Sequence, residues 1–160
     1  EGIPVVVKLD EETVGTIFPN PVELLDYRAS GIHPADVKSI EIVGLGGEFR
    51  LERSLDHWIS PDNDGREVPT QLVEELLNAL TTLRATELEV RDVYPVELER
   101  ARVTLLGFDG SPIDTVRLLR EEVDSGRWGM ENGDRVIRIH PEFVELHLLP
   151  GEYGLPAPTP

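Results

Sequence analysis

Alternating apolar and polar residues predict that this chain is rich in short antiparallel strands. Val37 to Ile42 and Phe49 to Arg53 both alternate with a period of two residues. Because Gly44-Leu45-Gly46-Gly47 separates them, the two segments are predicted to form a β-hairpin. A third short strand around His57-Trp58-Ile59 would complete a meander.

The same pattern predicts strands on both sides of this meander. An N-terminal strand pair is expected at Ile3 to Leu9 and Thr13 to Phe18, across an acidic turn. Five further strands are predicted in the C-terminal half, where Asp109-Gly110 and Asn132-Gly133 are turn signals. They lie at Glu87–Arg91, Arg102–Phe108, Asp114–Arg120, Arg127–Met130 and Arg135–Ile139.

One segment has helical periodicity instead. Leucine and valine residues recur three or four positions apart from about Gln71 to Leu83 and form one apolar stripe. Pro69 and a Thr70 N-cap mark its start. Shorter helices are predicted near 21–27 and 142–148. The predicted fold class is therefore α+β, with antiparallel hairpins in one or two sheets and the main helix packed on a face.

An internal repeat indicates how the chain is organised. Residues 3–25 align without a gap on residues 125–147, at an offset of 122. The matching positions are Val14, Ile17, Pro19, Val22, Glu23 and Leu24 on Val136, Ile139, Pro141, Val144, Glu145 and Leu146. We therefore interpret residues 1–28 as the tail of a preceding unit, 29–150 as one full unit and 151–160 as a linker. Repeats are typical of modules used in series.

Composition narrows the classes of partner. The 160 residues include 31 acidic and 15 basic side chains, for a net charge of −16, which disfavours binding to nucleic acid or anionic lipid. The chain has no cysteine, so disulfides and thiol catalysis are excluded. No apolar run approaches the roughly 20 residues of a membrane span. Because the first residue is Glu1 and not methionine, we expect a fragment whose leader or anchor has been removed.

No motif predicts catalysis or metal binding. His140 and His147 are seven residues apart, which does not suit a pair of ligands on one helix face. Asp62-Asn63-Asp64-Gly65 resembles part of a calcium loop, but Ser60 and Gln71 occupy the positions where carboxylates are needed. We therefore predict a polar turn at this position, no cofactor and no enzymatic activity.

Two tryptophans are the candidate contact residues. Trp58 and Trp128 each follow a hairpin-like segment, and each is either a core anchor or an exposed platform for a ligand or partner. The core interpretation is favoured, because aromatic residues are few and a sheet with a helix needs them inside.

The chain resembles a known family over roughly residues 22–155. The run Asp36-Val37-Lys38-Ser39-Ile40-Glu41-Ile42, the strand Gly47 to Arg53, Trp58 and the helix after Pro69 follow its pattern. The phrases Leu25-Asp26-Tyr27-Arg28 and Tyr153-Gly154-Leu155-Pro156 match those that bracket its units. The family is the bacterial domain-of-unknown-function family four-three-four-zero. The resemblance implies tandem extracytoplasmic units behind an N-terminal membrane anchor, in the company of ABC-type transporter components of the gliding-motility kind.

We therefore expect a non-enzymatic binding or scaffold module of a bacterial envelope protein, auxiliary to an ABC-type transporter. Its expected partners are a transporter protein and the neighbouring repeat of the same chain, with membrane association only through an anchor outside this fragment. The alternative is an extracytoplasmic domain that binds carbohydrate or a small ligand through a concave sheet face and an exposed tryptophan. A third hypothesis is a hydrolase that uses acidic loops and a divalent cation.

Overall fold

The structure, a computed structural model, describes residues 25–93, 95–120, 127–140, 143 and 145–156. The predicted strand pair at 3–18 and the N-terminal copy of the repeat lie almost entirely outside these residues. The side chain of Leu146 is also outside the description.

Nine strands in the described part of the chain form one antiparallel sheet. The strands are β1 (Ser39–Gly44), β2 (Gly47–Ser54), β3 (His57–Ser60), β4 (Arg66–Val68), β5 (Glu87–Val90), β6 (Glu99–Leu106), β7 (Pro112–Leu119), β8 (Trp128–Glu131) and β9 (Val136–His140). Their order across the sheet is β4-β3-β2-β1-β6-β7-β8-β9-β5. The described fold is therefore α+β, built from a single large sheet and one α-helix.

Two meanders meet at the centre of this sheet. β1 to β4 and β6 to β9 are each joined by consecutive antiparallel pairings. β1 pairs with β6, with Ile40 opposite Leu105 and Ile42 opposite Val103. β5 follows the helix in sequence, but it pairs with β9 at the far edge of the sheet. The predicted hairpin is present, with Leu45 and Gly46 between the paired residues Gly44 and Gly47.

The helix α1 (Thr70–Thr81) covers one face of the sheet, here called the inner face. Val73, Leu76, Leu77 and Leu80 are fully buried on it, as the apolar stripe predicts. The boundaries differ slightly from the prediction. Thr70 is the first helical residue and Pro69 stands at the N-cap, while the helix ends two residues earlier than expected, leaving Leu83 at 44% exposure.

The core lies between α1 and the inner face. The central strands contribute alternate apolar residues, because successive side chains of a strand point to opposite faces. The fully buried strand residues that share this core cluster with the α1 stripe are Ile40, Ile42, Leu51, Val103, Leu105, Val116, Leu118 and Met130. A second, smaller cluster of Leu119, Ile137 and Ile139 lies on the opposite side with Leu98 packed against it.

The two predicted short helices have different outcomes. The one predicted near 142–148 is present over its last part, where Glu145–Leu148 form a short 3₁₀ helix. Residues 25–27 of the other predicted helix are not helical, and its remaining residues lie outside the described part. No helix in the described ranges is long and apolar enough to cross a membrane.

The segment after Pro150, expected to begin a linker, is packed onto the domain as far as it is described. Pro150–Tyr153 form another 3₁₀ turn, and Tyr153 is 1% exposed. Its ring centroid lies 5.6 Å from that of Phe49, and its hydroxyl donates to the His147 carbonyl at 2.9 Å. Leu155 is also buried, so the folded domain extends at least to this residue.

Candidate interaction surface

Trp58 lies in the core beneath α1. The residue is 1% exposed and pairs across the sheet with Val68 of β4. Its Nε1 donates a hydrogen bond to Glu74 Oε1 at 3.1 Å, which satisfies the polar atom of the indole. The guanidinium of Arg53 lies over the ring, 4.7 Å from its centroid, and forms an ion pair with the same carboxylate at 3.7 Å.

Trp128 is buried at the other side of the core. It is 2% exposed, and the Phe143 ring meets it edge-on with centroids 5.5 Å apart. Arg120 lies over the ring at 5.4 Å and forms an ion pair with Glu145. Neither tryptophan therefore presents a face to solvent. A sugar that stacks on an aromatic platform would need one of these rings to leave the core, and a contact role for either stays a prediction.

The face of the sheet opposite α1, here called the outer face, carries charged and hydroxyl side chains in rows. Cross-strand partners in an antiparallel sheet lie on the same face, so register defines each row. The first row runs from Arg50 through Glu41 and Thr104 to Thr115, across β2, β1, β6 and β7. Arg50 and Glu41 are 3.8 Å apart, and their side chains are 35% and 41% exposed.

The second row places two arginines side by side. Val43 of β1 is opposite Arg102, Arg102 is opposite Arg117, and Arg117 is opposite Glu131. The two cations are held next to each other because each has a carboxylate partner, Glu99 at 2.7 Å for Arg102 and Glu131 at 3.0 Å for Arg117. Val43, at the end of this row, is exposed, so the surface combines charged groups with one apolar side chain.

Glu131 anchors the second row. The residue is 2% exposed, and besides Arg117 it accepts hydrogen bonds from the backbone N–H groups of Gly133 and Arg135 at 2.6 and 3.0 Å. A buried carboxylate with three donors is well satisfied. It ties the β8–β9 turn to β7, and the Arg117 side chain remains 35% exposed beside it. The Glu131 end of the second row is therefore held in place by buried hydrogen bonds.

The histidines are dispersed. His147 lies 3.3 Å from Glu75 on α1, and hydrogen bonds from Gln71 and then His147 hold the pKa of Glu75 below its ordinary value. His33 caps a 3₁₀ turn by accepting from the Ala35 N–H, and His57 contacts Asp56. Within the described ranges, no group of three or more His, Cys, Asp or Glu side chains is placed to hold a metal ion.

Ser30, in the loop before β1, is held by two hydrogen bonds. It is fully buried, and its hydroxyl donates to Asp114 at 2.5 Å while accepting from the Ile32 N–H at 3.2 Å. The bond to Asp114 holds the loop at 30–32 against β7, and the bond from Ile32 is internal to that loop. The hydrogen bond between the Asp114 carboxylate and the Ser30 hydroxyl therefore has a structural role.

The outer-face rows were not predicted as a site. The signal was present as alternating charges at Glu41, Arg50 and Arg102, but alternation alone is equally typical of any solvated strand face. The rows depend on β1 lying beside β6, more than fifty residues further along the chain. No protein-family model, curated protein or solved structure matches this chain.

Proposed function

We propose that this chain is a non-enzymatic binding or scaffold module of a bacterial envelope protein, auxiliary to an ABC-type transporter, and that it contacts its protein partner through the outer face of the sheet. The observation that carries the proposal is the row Val43-Arg102-Arg117-Glu131, in which two neighbouring arginines stay partly exposed beside an exposed valine.

The chemistry of the two arginine side chains in this row supports a protein partner. Arginine combines a planar donor group with apolar stem area, and it is enriched at protein interfaces. Arg102 and Arg117 are already positioned by Glu99 and Glu131, so little side-chain entropy remains to be lost when a partner docks. Since Glu99 and Glu131 neutralise the two arginines, this row is locally neutral on a chain of net charge −16, which favours a partner with complementary polar and apolar groups.

The cellular setting in the proposal comes from the family resemblance. The segments that carry the resemblance include β1, β2 and α1, and the family implies tandem extracytoplasmic units accompanying ABC-type transporter components. In such a setting a rigid sheet with one open, charged face is suited to holding a neighbouring repeat or a transporter subunit.

Affinity capture tests the proposal directly. The chain is immobilised, exposed to detergent-solubilised membranes of its source bacterium, and the retained proteins are identified by mass spectrometry. We expect specific recovery of transporter subunits by the unaltered chain and loss of that recovery for the double variant Arg50→Gln/Arg102→Gln.

A matched double variant controls for charge. Arg66→Gln/Arg84→Gln removes the same charge from positions outside the rows, and it should recover the subunits as the unaltered chain does. The melting temperature of each double variant must lie within a few degrees of that of the unaltered chain. Equal recovery by both double variants, or capture of no transporter subunit by a folded chain, would contradict the proposal.

A further inference from the structure

A cavity of about 70 Å³ lies between the C-terminal end of α1 and the inner face of β8 and β9. Its interior wall is apolar, with Ala79, Met130 and Phe143 all at least nine-tenths buried. Leu83, which is 44% exposed, also lines it and marks the side open to solvent. One buried water needs roughly 10–15 Å³ of cavity volume. This cavity is therefore large enough for about five waters, or for an apolar group of about four to six carbons.

The same lining contains a cation, Arg84. Arg84 forms no ion pair with any residue that the structure describes, and its guanidinium lies over the Tyr27 ring, 5.1 Å from the centroid. Acidic residues outnumber basic ones two to one in this chain, and most of the described arginines are paired with a carboxylate. Arg84 is thus available to an anion at the edge of an apolar space.

His140 adds a second polar group to the lining. The residue is 5% exposed, and its Nε2 is buried without a hydrogen-bond partner in the described part of the protein. An unpaired buried imidazole nitrogen costs stability, and native proteins satisfy nearly all such atoms. A ligand oxygen entering the cavity would supply this missing partner.

We propose that the cavity binds a small amphipathic monocarboxylate, a carboxylic acid with an aliphatic or aromatic group of about four to six carbons. The apolar group lies among Met130, Phe143, Ala79 and Leu83, and the carboxylate pairs with Arg84, with His140 as the second polar contact. This site is on the opposite face of the sheet from the rows of the proposed partner surface, and it does not depend on that function.

Titration with hexanoate, followed by two-dimensional NMR of the isotope-labelled chain, tests the proposal. Saturable shifts are expected for the amides of Ala79, Leu83 and Met130. Binding should tighten roughly fourfold for each methylene added from acetate to hexanoate, because each buried methylene contributes a similar transfer free energy. No saturable shift at these amides with hexanoate at its highest soluble concentration would overturn the proposal.

Two variants separate a specific site from general adsorption. Arg84→Gln should weaken hexanoate binding about tenfold and leave the binding of the uncharged 1-hexanol unchanged. Arg100→Gln, which removes the same charge outside the cavity lining, should leave hexanoate binding unaltered. Equal weakening by both variants, or binding of 1-hexanol without binding of hexanoate, would contradict a carboxylate site.

Discussion

Buried aromatic rings and charged groups lie in direct contact in this domain. The indole N–H of Trp58 donates to Glu74, and that carboxylate also holds Arg53 over the ring. The arrangement satisfies the indole nitrogen, which would otherwise lose its hydrogen bond to water on burial. Since Glu74 is on α1 and Arg53 is on β2, one side-chain cluster also fastens the helix to the sheet.

His140 makes stability depend on pH. Burial, and then the charge of Arg138, lowers the pKa of His140 from 6.5 to about 4 in the folded protein. In the unfolded chain this histidine binds its proton below pH 6.5, so the unfolded state binds more protons between the two values. Stability is therefore expected to fall by about 3 kcal/mol as pH drops from 6.5 to 4, and the contribution of this group levels off below pH 4.

Chemical denaturation at a series of pH values measures this dependence. His140→Phe should flatten the curve of unfolding free energy against pH between 6.5 and 4. Asp26 affects stability in a separate pH range. Its hydrogen bond with Arg28 lowers its pKa to about 2, so its contribution to stability is lost as pH falls below 4. An unchanged slope in His140→Phe would refute the assignment.

At the scale of secondary structure, the β1–β2 hairpin depends on close approach of backbones. Gly44 has a φ of +139°, which non-glycine residues rarely adopt. A Cβ at this position would lie 2.4 Å from the Arg100 carbonyl oxygen and 2.6 Å from the Cα of Ala101 on β6. The glycine is therefore needed both for the end of β1 and for the central pairing of β1 with β6.

Gly44→Ala is expected to destabilise the domain by at least about 2 kcal/mol, since it combines backbone strain with a clash against rigid backbone atoms. Gly31→Ala is the matched control, because a Cβ there meets nothing within 4 Å and the backbone is not in the left-handed region. The control should change the free energy of unfolding by less than about 1 kcal/mol. If urea denaturation showed similar losses of unfolding free energy for the two alanine variants, the close approach of β1 to β6 would not be the reason that glycine is needed at position 44.

At the scale of the whole molecule, the described C-terminal segment closes the core over β2. Tyr153 packs against Phe49, and desolvation together with the charge of Glu75 raises the pKa of its phenol well above the ordinary value. The hydroxyl also holds the His147 carbonyl, so one side chain joins the sheet and the 3₁₀ turn at 145–148.

Tyr153→Ala is expected to cost about 3–5 kcal/mol, because it removes a fully buried aromatic side chain from a packed core. Glu152→Ala changes an exposed neighbour and should stay within about 0.5 kcal/mol of the unaltered chain. Thermal and urea unfolding of the two variants check both values. A small effect of Tyr153→Ala would mean that this segment behaves as the linker expected from its glycine and proline content.

The local sequence pattern was sufficient to predict most secondary-structure elements, but it was not sufficient to predict the surface that these elements form together. The hairpin at Gly44 to Gly47 and the helix beginning near Thr70 follow from periodicity and turn residues, which act over a few positions. The short strand β4 was missed, because Arg66–Val68 has too few residues to show alternation. The burial of Glu131 was also not predictable, since it depends on Arg117 and on the following turn.

The amino-acid sequence by itself determined the strand-rich α+β class, the amphipathic face of α1 and the absence of cysteine chemistry, because each depends on composition or on neighbours within a few residues. Only the tertiary structure decided that β1 lies beside β6, that β5 pairs with β9, and that Ala79, Met130 and His140 line one cavity. These contacts join distant segments, and their free energy comes from burial and sheet pairing that exist only once the chain has closed around its core.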